Sequence, residues 1–162
     1  MGNNWKITDT LTKVFADEVP DGQGSIRLST LHRETVSCVI AYFGAADWGR
    51  YWKVSVKAPE KIETRLRRVE LVPSAYPCHK EQDDNYLRIV PGMYPDLLRD
   101  LDTEDDGADK KYLTKEVPGQ WRSLWLDVTV DTELAGGDYA IVIETETEDG
   151  EKETLKADLH VV

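Results

Sequence analysis

The stretch that decides the fold is Ser123-Leu124-Trp125-Leu126-Asp127-Val128-Thr129-Val130. Every second residue from Leu124 to Val130 is aliphatic, and the intervening positions are aromatic or polar. Successive side chains of an extended strand point to opposite faces, so this alternation predicts a β-strand with one face in a core. The chain shows no long 3.6-residue period, and we therefore predict an all-β protein.

The same period of two predicts further strands on either side. Residues 34–43 are apolar on both faces, which favours a central position in a sheet. In the segment 62–72 the apolar positions change parity between Leu66 and Val69, which predicts a β-bulge near Arg67 and Arg68. The remaining predicted strands cover residues 24–32, 51–58, 138–147 and 151–161.

The last two predicted strands form a hairpin whose register burial should specify. A two-residue turn at Asp149-Gly150 would place Ile141 opposite Asp158, beside a charge. A three-residue loop at Glu148-Asp149-Gly150 avoids this, and it pairs Tyr139 with Leu159, Ile141 with Ala157, Ile143 with Leu155 and Glu146 with Lys152. We predict the three-residue loop, with Gly150 in the left-handed conformation, because a one-residue slip would move every side chain of a strand to the opposite face of the sheet.

Two segments lack the regular pattern. Residues 1–20 are predicted to be an N-terminal lead-in, with a short helical turn over residues 8–15. Residues 73–118 hold five of the seven prolines and an acidic run, which predicts one long irregular loop with only residues 85–90 as a short strand. The whole chain, 1–162, is predicted to be a single antiparallel β-sandwich of about seven to nine strands.

Composition excludes several classes of function. The chain has 162 residues, with 20 Lys and Arg against 31 Asp and Glu and a formal net charge of −11. That length suits one domain, since domains have about 100–200 residues. No stretch approaches the roughly 20 apolar residues of a membrane span. Nucleic acids and anionic membranes are bound through clustered Lys and Arg, so we expect neither as a partner.

Cysteine usage and the N-terminus bear on the compartment. Cys38 lies in an apolar strand and Cys78 in a loop. A domain of this size needs no disulfide, which favours two free thiols, although a bond between the two remains open. The start of the chain has no basic and apolar leader, which favours a cytoplasmic protein.

Motifs for metal binding and catalysis are weak or missing in the sequence. Residues 102–107 resemble the start of a calcium loop, but Leu113 stands where a bidentate Glu is required. Cys78 and His79 are adjacent without the spacing of a zinc site. There is no nucleophile elbow and no phosphate-binding glycine loop. We expect no metal, no cofactor and no catalytic residue, while a chance pair of carboxylates stays open because its separation in space decides its chemistry.

Aromatic residues are the remaining candidates. Trp48, Tyr51 and Trp52 lie around one loop and are candidate sugar contacts, the alternative being that Trp52 belongs to the core and Trp48 caps the sheet. Trp125 projects opposite the apolar face of its strand, near Trp121. It is therefore either covered by the long loop or exposed to a partner, since large exposed apolar residues mark interfaces.

Four further stretches resemble one family. They are Arg33-Glu34-Thr35-Val36-Ser37, Val90-Pro91-Gly92-Met93-Tyr94-Pro95-Asp96-Leu97-Leu98, the segment 117–130 with its Trp-containing strand, and Ala135-Gly136-Gly137-Asp138-Tyr139. Together they are similar to the N-terminal domain of glycoside hydrolase family 123-like proteins, from about Phe15 to Val162. The chain departs from that pattern in its Gly136-Gly137 pair and its acidic insert after Asp100.

The resemblance implies a β-sandwich packed on a following TIM barrel. In that family the barrel carries an Asp-Glu pair that hydrolyses β-linked N-acetylgalactosamine with substrate assistance. This chain would then be the N-terminal part of a larger glycoside hydrolase, itself non-catalytic, with the downstream barrel as its partner. Tyr94, Trp121 and Trp125 are the candidate docking residues.

Four hypotheses follow, of which the first is preferred. The chain is a non-catalytic accessory domain that braces a catalytic barrel. Alternatively, it is an independent carbohydrate-binding module that uses Trp48, Tyr51 and Trp52, or an immunoglobulin-like interaction domain, since sandwiches host many functions. A small enzyme with an undetected carboxylate pair is the least favoured.

Overall fold

The computed structural model describes residues 4–81, 85–105 and 110–162. Within these ranges eleven strands form two sheets, which confirms the predicted β-sandwich. Sheet A has the order β1-β3-β9-β5-β6 and sheet B the order β2-β11-β10-β4-β8-β7. All pairs are antiparallel except β2 with β11. The strands are β1 (Trp5–Thr8), β2 (Ser25–Thr30), β3 (Thr35–Phe43), β4 (Tyr51–Lys57), β5 (Ile62–Ser74), β6 (Gly92–Asp100), β7 (Asp102–Asp105), β8 (Lys110–Lys115), β9 (Trp121–Val130), β10 (Gly137–Thr147) and β11 (Lys152–Val161).

The core lies between the two sheets. Sheet A contributes the aliphatic row of β9, as its alternation predicts, and sheet B contributes the inward rows of β10 and β11. An aromatic group fills one end, where Trp5 stacks on Tyr42 at 4.8 Å and meets Trp52 edge-on at 5.1 Å between ring centroids. Such pairs add to the free energy gained from burying apolar area. Cys38 also lies in this core, and burial raises the pKa of its thiol to about 12.

The hairpin of β10 and β11 has the predicted register. Ile141 pairs with Ala157, and Glu146 pairs with Lys152. Thr147 and Glu151 close the three-residue loop through a backbone hydrogen bond of 2.9 Å. Gly150 has a φ of 82°, the left-handed conformation that a side chain would disfavour.

The N-terminal lead-in differs from the prediction. Residues 5–8 form β1 at the edge of sheet A, where Trp5 pairs with Tyr42 and Ile7 with Ile40. The predicted helical turn over residues 8–15 is wrong, because these residues contain no helix. In the described part of the chain there is also no helix that could cross a membrane. Residues 9–24, here called the cover segment, run over the outer face of sheet A, and Ala16 accepts a hydrogen bond of 2.9 Å from the Trp121 amide.

The segment 73–118 is also more regular than predicted. It contains all of β6, β7 and β8, and residues 85–90 form no strand. Proline is tolerated at sheet edges and at bulges. Pro95 occupies such a place in β6, because Leu71 pairs with Pro95 and Glu70 with Leu97, which leaves one residue of β6 unpaired.

The predicted bulge at Arg67 and Arg68 is wrong. The register of β5 with β9 is unbroken from Ile62 to Val69, and the irregularity lies further on, between Glu70 and Leu71. Val69 needs no bulge to be partly buried, because the outer face of sheet A is itself apolar.

Beyond Val69, β5 pairs only with β6. The two strands continue as a two-stranded ribbon, residues 70–74 against 92–97, past the last pair with β9.

Both cysteines are free, Cys38 buried and Cys78 partly buried.

Candidate interaction surfaces

The outer face of sheet A is apolar. Val39 and Ala41 of β3 and Trp121 of β9 are buried there together with Val14 of the cover segment. Phe43 extends this cluster and lies 5.4 Å from the Trp121 ring, between centroids. Sheet A is therefore covered on both sides, which explains why β3 is apolar at every position from Cys38 to Phe43.

Trp125 belongs to the same outer cluster and is partly buried. Val14 of the cover segment belongs to the cluster, and none of the described residues of 73–118 does. The indole Nε1 of Trp125 donates a hydrogen bond of 2.7 Å to Oδ1 of Asp127, which also accepts one of 2.6 Å from Ser37. Arg67 completes the group with a contact of 2.5 Å to Asp127 Oδ2.

Asp127 is charged, and its carboxylate accepts hydrogen bonds from three side chains. Burial alone would raise the pKa of this carboxyl, but the hydrogen bonds from Ser37, Trp125 and Arg67 and the charge of Arg67 outweigh it and hold the pKa below its ordinary value. The group orients Trp125 and leaves Asp127 without the raised pKa of a general acid.

Tyr94 joins the ribbon to the cover segment. Its ring meets Phe15 edge-on at 5.7 Å, and its hydroxyl donates to the backbone carbonyl of Val90 at 2.5 Å. The guanidinium of Arg88 lies 3.7 Å from the centroid of the Phe15 ring and pairs with Asp17 at 2.9 Å and with Glu18. The predicted docking residue Tyr94 therefore holds the loop before β6 in place.

Exposed apolar side chains concentrate beside this ribbon. Among the described residues thirteen large apolar side chains are exposed, and seven of them fall within residues 76–97. This ribbon patch consists of Tyr76, Tyr86, Leu87, Ile89, Val90, Met93 and Leu97. A groove of about 560 Å³ opens between the same loop, the ribbon and Phe15. Clustered apolar exposure of this kind is typical of an interaction site.

The outer face of sheet B has the opposite character. It carries exposed ion pairs, Lys57 with Glu144 at 2.6 Å and Lys152 with Glu146 at 3.3 Å. Their side chains are about half exposed to solvent or more. This face is a solvated charged surface.

The three candidate sugar contacts do not lie together. Trp48 and Tyr51 are exposed, Trp48 by 52%, but Trp52 is only 1% exposed and lies in the core. Trp52 is therefore corrected to a core residue, as its inward parity on β4 requires. The ammonium group of Lys115 lies 5.3 Å from the centroid of the Tyr51 ring, a cation–π contact at the surface.

A buried ion pair that the sequence did not predict involves Arg50, at the end of the loop between β3 and β4. Glu116, 1% exposed, accepts hydrogen bonds from Arg50 Nε at 2.9 Å and from the Trp52 indole at 3.1 Å. Arg50 also contacts Glu151 at 2.6 Å, and its bond to Glu116 raises the pKa of the guanidinium. The pair ties the start of β4 to the end of β8 and to the β10–β11 turn. Its partners are 66 and 101 positions apart from Arg50 in sequence, so no local pattern marks them.

Groups that could hold a metal are not found among the described residues. Asp102 to Asp105 form the edge strand β7, paired with β8. Asp106 and Gly107, which complete the calcium-like motif, lie outside the described residues.

The structure is similar to that of a family 123 glycoside hydrolase from Clostridium perfringens, with a TM-score of 0.65 and 10% identity over 98% of this chain. The chain spans about a quarter of that protein, 27% of its length. Weaker similarity relates it to a PapD-like domain of human CEP192, with a TM-score of 0.46, 10% identity and coverage of 98% and 85%, and to the C-terminal domain of the Streptococcus agalactiae AgI/II polypeptide BspA, with a TM-score of 0.46, 14% identity and coverage of 97% and 49%.

Comparison with protein-family models and with curated proteins gives no match. At 10% identity the likeness to the glycoside hydrolase shows the fold alone. It agrees with the sequence resemblance at that level: the chain has the β-sandwich fold of a domain found in such proteins.

Proposed function

We propose that this chain is a non-catalytic accessory β-sandwich that docks against a catalytic barrel domain of a glycoside hydrolase of family 123 type. The observation that carries the proposal is the ribbon patch, which gathers seven of the thirteen exposed large apolar side chains. A cluster of apolar side chains is unfavourable on a surface exposed to water, whereas the core of a protein interface is apolar.

The structural comparison supports the same assignment. The similar glycoside hydrolase is almost four times as long as the segment matched here, which leaves room for a separate catalytic domain in a protein of that kind. In the resembling family that domain carries the Asp-Glu pair. The accessory sandwich would brace it through Tyr94 and the ribbon patch, while Trp121 and Trp125 hold the cover segment against sheet A.

Hydrogen–deuterium exchange tests the docking. We compare the complete gene product with the 162-residue chain alone. Amides of residues 85–97 should exchange more slowly in the complete product, whereas those of the β10–β11 hairpin should be unchanged. Equal exchange at 85–97, or a gene product with no further folded domain, overturns the proposal.

Two matched variants sharpen the test. Leu87→Asp places a charge inside the ribbon patch, where Leu87 is 72% exposed. Leu11→Asp places one outside the patch, on a leucine that is even more exposed, at 85%. In the complete product Leu87→Asp should restore fast exchange over 85–97, and Leu11→Asp should not. Hydrolysis of an N-acetyl-β-galactosaminide by the 162-residue chain alone would contradict its non-catalytic role.

Carbohydrate binding is a second candidate. It is favoured by Trp48 and Tyr51, which present exposed rings near one end of the sandwich. Aromatic faces stack on sugar rings and also receive cations, as Tyr51 does from Lys115. Titration calorimetry of the chain with mono- and oligosaccharides tests it: Trp48→Ala should abolish the heat of binding, and unchanged binding would remove Trp48 from the site.

A further inference from the structure

A cleft of about 430 Å³ opens between the two sheets at the ribbon end of the sandwich. Tyr42 of β3, Arg68 and Glu70 of β5 and Arg122 of β9 line it from sheet A, and Lys115 and Glu116 line it from sheet B. Arg122 pairs with Tyr42 and continues the inward row of β9 beyond Leu124. The lining of the interior thus changes from aliphatic to charged at this end of the sandwich, and we call this cleft the end cleft.

Arg122 is the least satisfied group in the end cleft. Its Nη2 donates a hydrogen bond of 2.8 Å to the side-chain oxygen of Gln120, a neutral acceptor. Its Nε is buried and has no acceptor among the described residues. The acceptor of the Nη2 hydrogen bond is an amide oxygen and not a carboxylate, although the protein has 31 acidic residues against 20 basic ones. Buried donors are normally paired. Among the described residues Trp5 Nε1 and Arg67 Nε also lack an acceptor, but Arg122 is the one of the three that lines the end cleft, where a ligand could supply the acceptor.

The acids of the end cleft are already engaged. Glu70 accepts from Arg68 Nε at 2.7 Å, and Glu116 is held by Arg50. Burial raises the pKa of Tyr42 to about 12, so its hydroxyl, 2.8 Å from Thr114 Oγ1, stays neutral at physiological pH. Arg122 consequently leaves one positive charge at the end cleft beyond the pairs of Arg68 with Glu70 and Arg50 with Glu116. Lys115 lines the cleft as well, but its ammonium group lies over the Tyr51 ring.

We propose that the end cleft binds a carboxylate-bearing sugar, a hexuronate, with its carboxylate on the guanidinium of Arg122. The planar fork of Arg donates two parallel hydrogen bonds to a carboxylate, a geometry that a lysine does not offer. The volume lies within the range of small-ligand sites. Gly49 lines the end cleft, and Trp48, which precedes it in the same loop, is 52% exposed. The proposal takes the Trp48 ring as the aromatic face that stacks on the sugar ring.

This inference names the ligand class of the carbohydrate-binding candidate and is independent of the docking proposal. The test is a nuclear magnetic resonance titration of the ¹⁵N-labelled 162-residue chain with galacturonate, following the side-chain Nε–H resonance of Arg122. Galactose and acetate are the neutral-sugar and sugar-free controls. Galacturonate should shift the Arg122 resonance in a saturable way, and each control should bind at least about tenfold more weakly.

The variants are Arg122→Gln and, as a matched control, Arg27→Gln on the exposed far edge of sheet B. Arg122→Gln should weaken galacturonate binding at least about tenfold, and Arg27→Gln should leave it unchanged. The wild-type resonance keeps the test decisive if Arg122→Gln does not fold.

Each result distinguishes the two ideas. Equal binding of galactose overturns the carboxylate site and leaves carbohydrate binding standing. Equal binding of acetate overturns the sugar specificity, and no binding of any sugar overturns both. An unmoved Arg122 resonance with binding elsewhere overturns the placement in the end cleft.

Discussion

The two outward faces of the sandwich differ, although both sheets share one core. The outer face of sheet A carries Val39, Ala41 and Trp121 beneath the cover segment. The outer face of sheet B carries ion pairs such as Lys57 with Glu144, open to solvent. One face is therefore a second small core, and the other meets water directly.

The difference shows how an apolar strand should be interpreted. In β10, Ile141 and Ile143 are buried while Glu144 and Glu146 are not, and the alternation reports a single core. In β3, Cys38 and Ile40 face that core and Val39 and Ala41 face outward. A strand that is apolar on both faces thus implies a second cover, which here comes from residues 9–24 of the same chain.

The largest effect is expected from Trp121→Ala on the covered face. Removing a buried Trp leaves a cavity and should lower the free energy of unfolding by about 3–5 kcal/mol. Urea denaturation monitored by circular dichroism measures it, with the exposed Trp48→Ala as the control, expected to change stability by less than about 0.5 kcal/mol. Equal small effects of the two variants would show that the cover segment contributes no core.

The part of the fold that could be predicted from the sequence differs from strand to strand. The β9 alternation and the β10–β11 register followed from period and burial alone, because a slip would expose Ile141 or bury Asp158. The strand β6 did not, since Pro95 argues against a strand except at an edge or a bulge, and sequence does not reveal which strand lies at an edge.

The candidate sites were less predictable. Trp121 and Trp125 could be placed on the outer side of β9, but their cover could not, because the contact with Val14 joins positions far apart in sequence. Trp52 follows its inward parity into the core, away from Trp48. Arg122 belongs to no sequence motif, and its proposed role rests on a buried Nε that has no acceptor among the described residues.

An effect of intermediate size is expected from Asp127→Asn, which removes the charged carboxylate on the covered face. The carboxylate accepts three side-chain hydrogen bonds, from Ser37, Trp125 and Arg67. Hydrogen bonds to a charged group contribute about 1.5–3 kcal/mol, so the variant should lose about 2 kcal/mol at pH 7.

The same variant has a defined pH dependence. The pKa of Asp127 is lower in the folded protein than its ordinary value of 3.8. Its contribution is therefore fully present above the unfolded pKa and is lost as the pH falls through the folded one. Denaturation from pH 7 downward should show wild type and Asp127→Asn converging only below about pH 4. A difference that fades already near pH 6 would contradict this assignment.

The smallest effect is expected on the solvated face, from the pair of Glu146 and Lys152. The two side chains are 46% and 70% exposed, and their charged atoms are 3.3 Å apart. Exposed ion pairs are screened by water and cost side-chain entropy, so their coupling is typically about 0.2–1 kcal/mol. A double-mutant cycle with Glu146→Gln and Lys152→Gln should give no more than about 0.5 kcal/mol, vanishing at 1 M salt, where the screening length is about 3 Å. A coupling above about 1.5 kcal/mol that survives high salt would mean that this face is covered as well, and the contrast between the two outer faces would no longer hold.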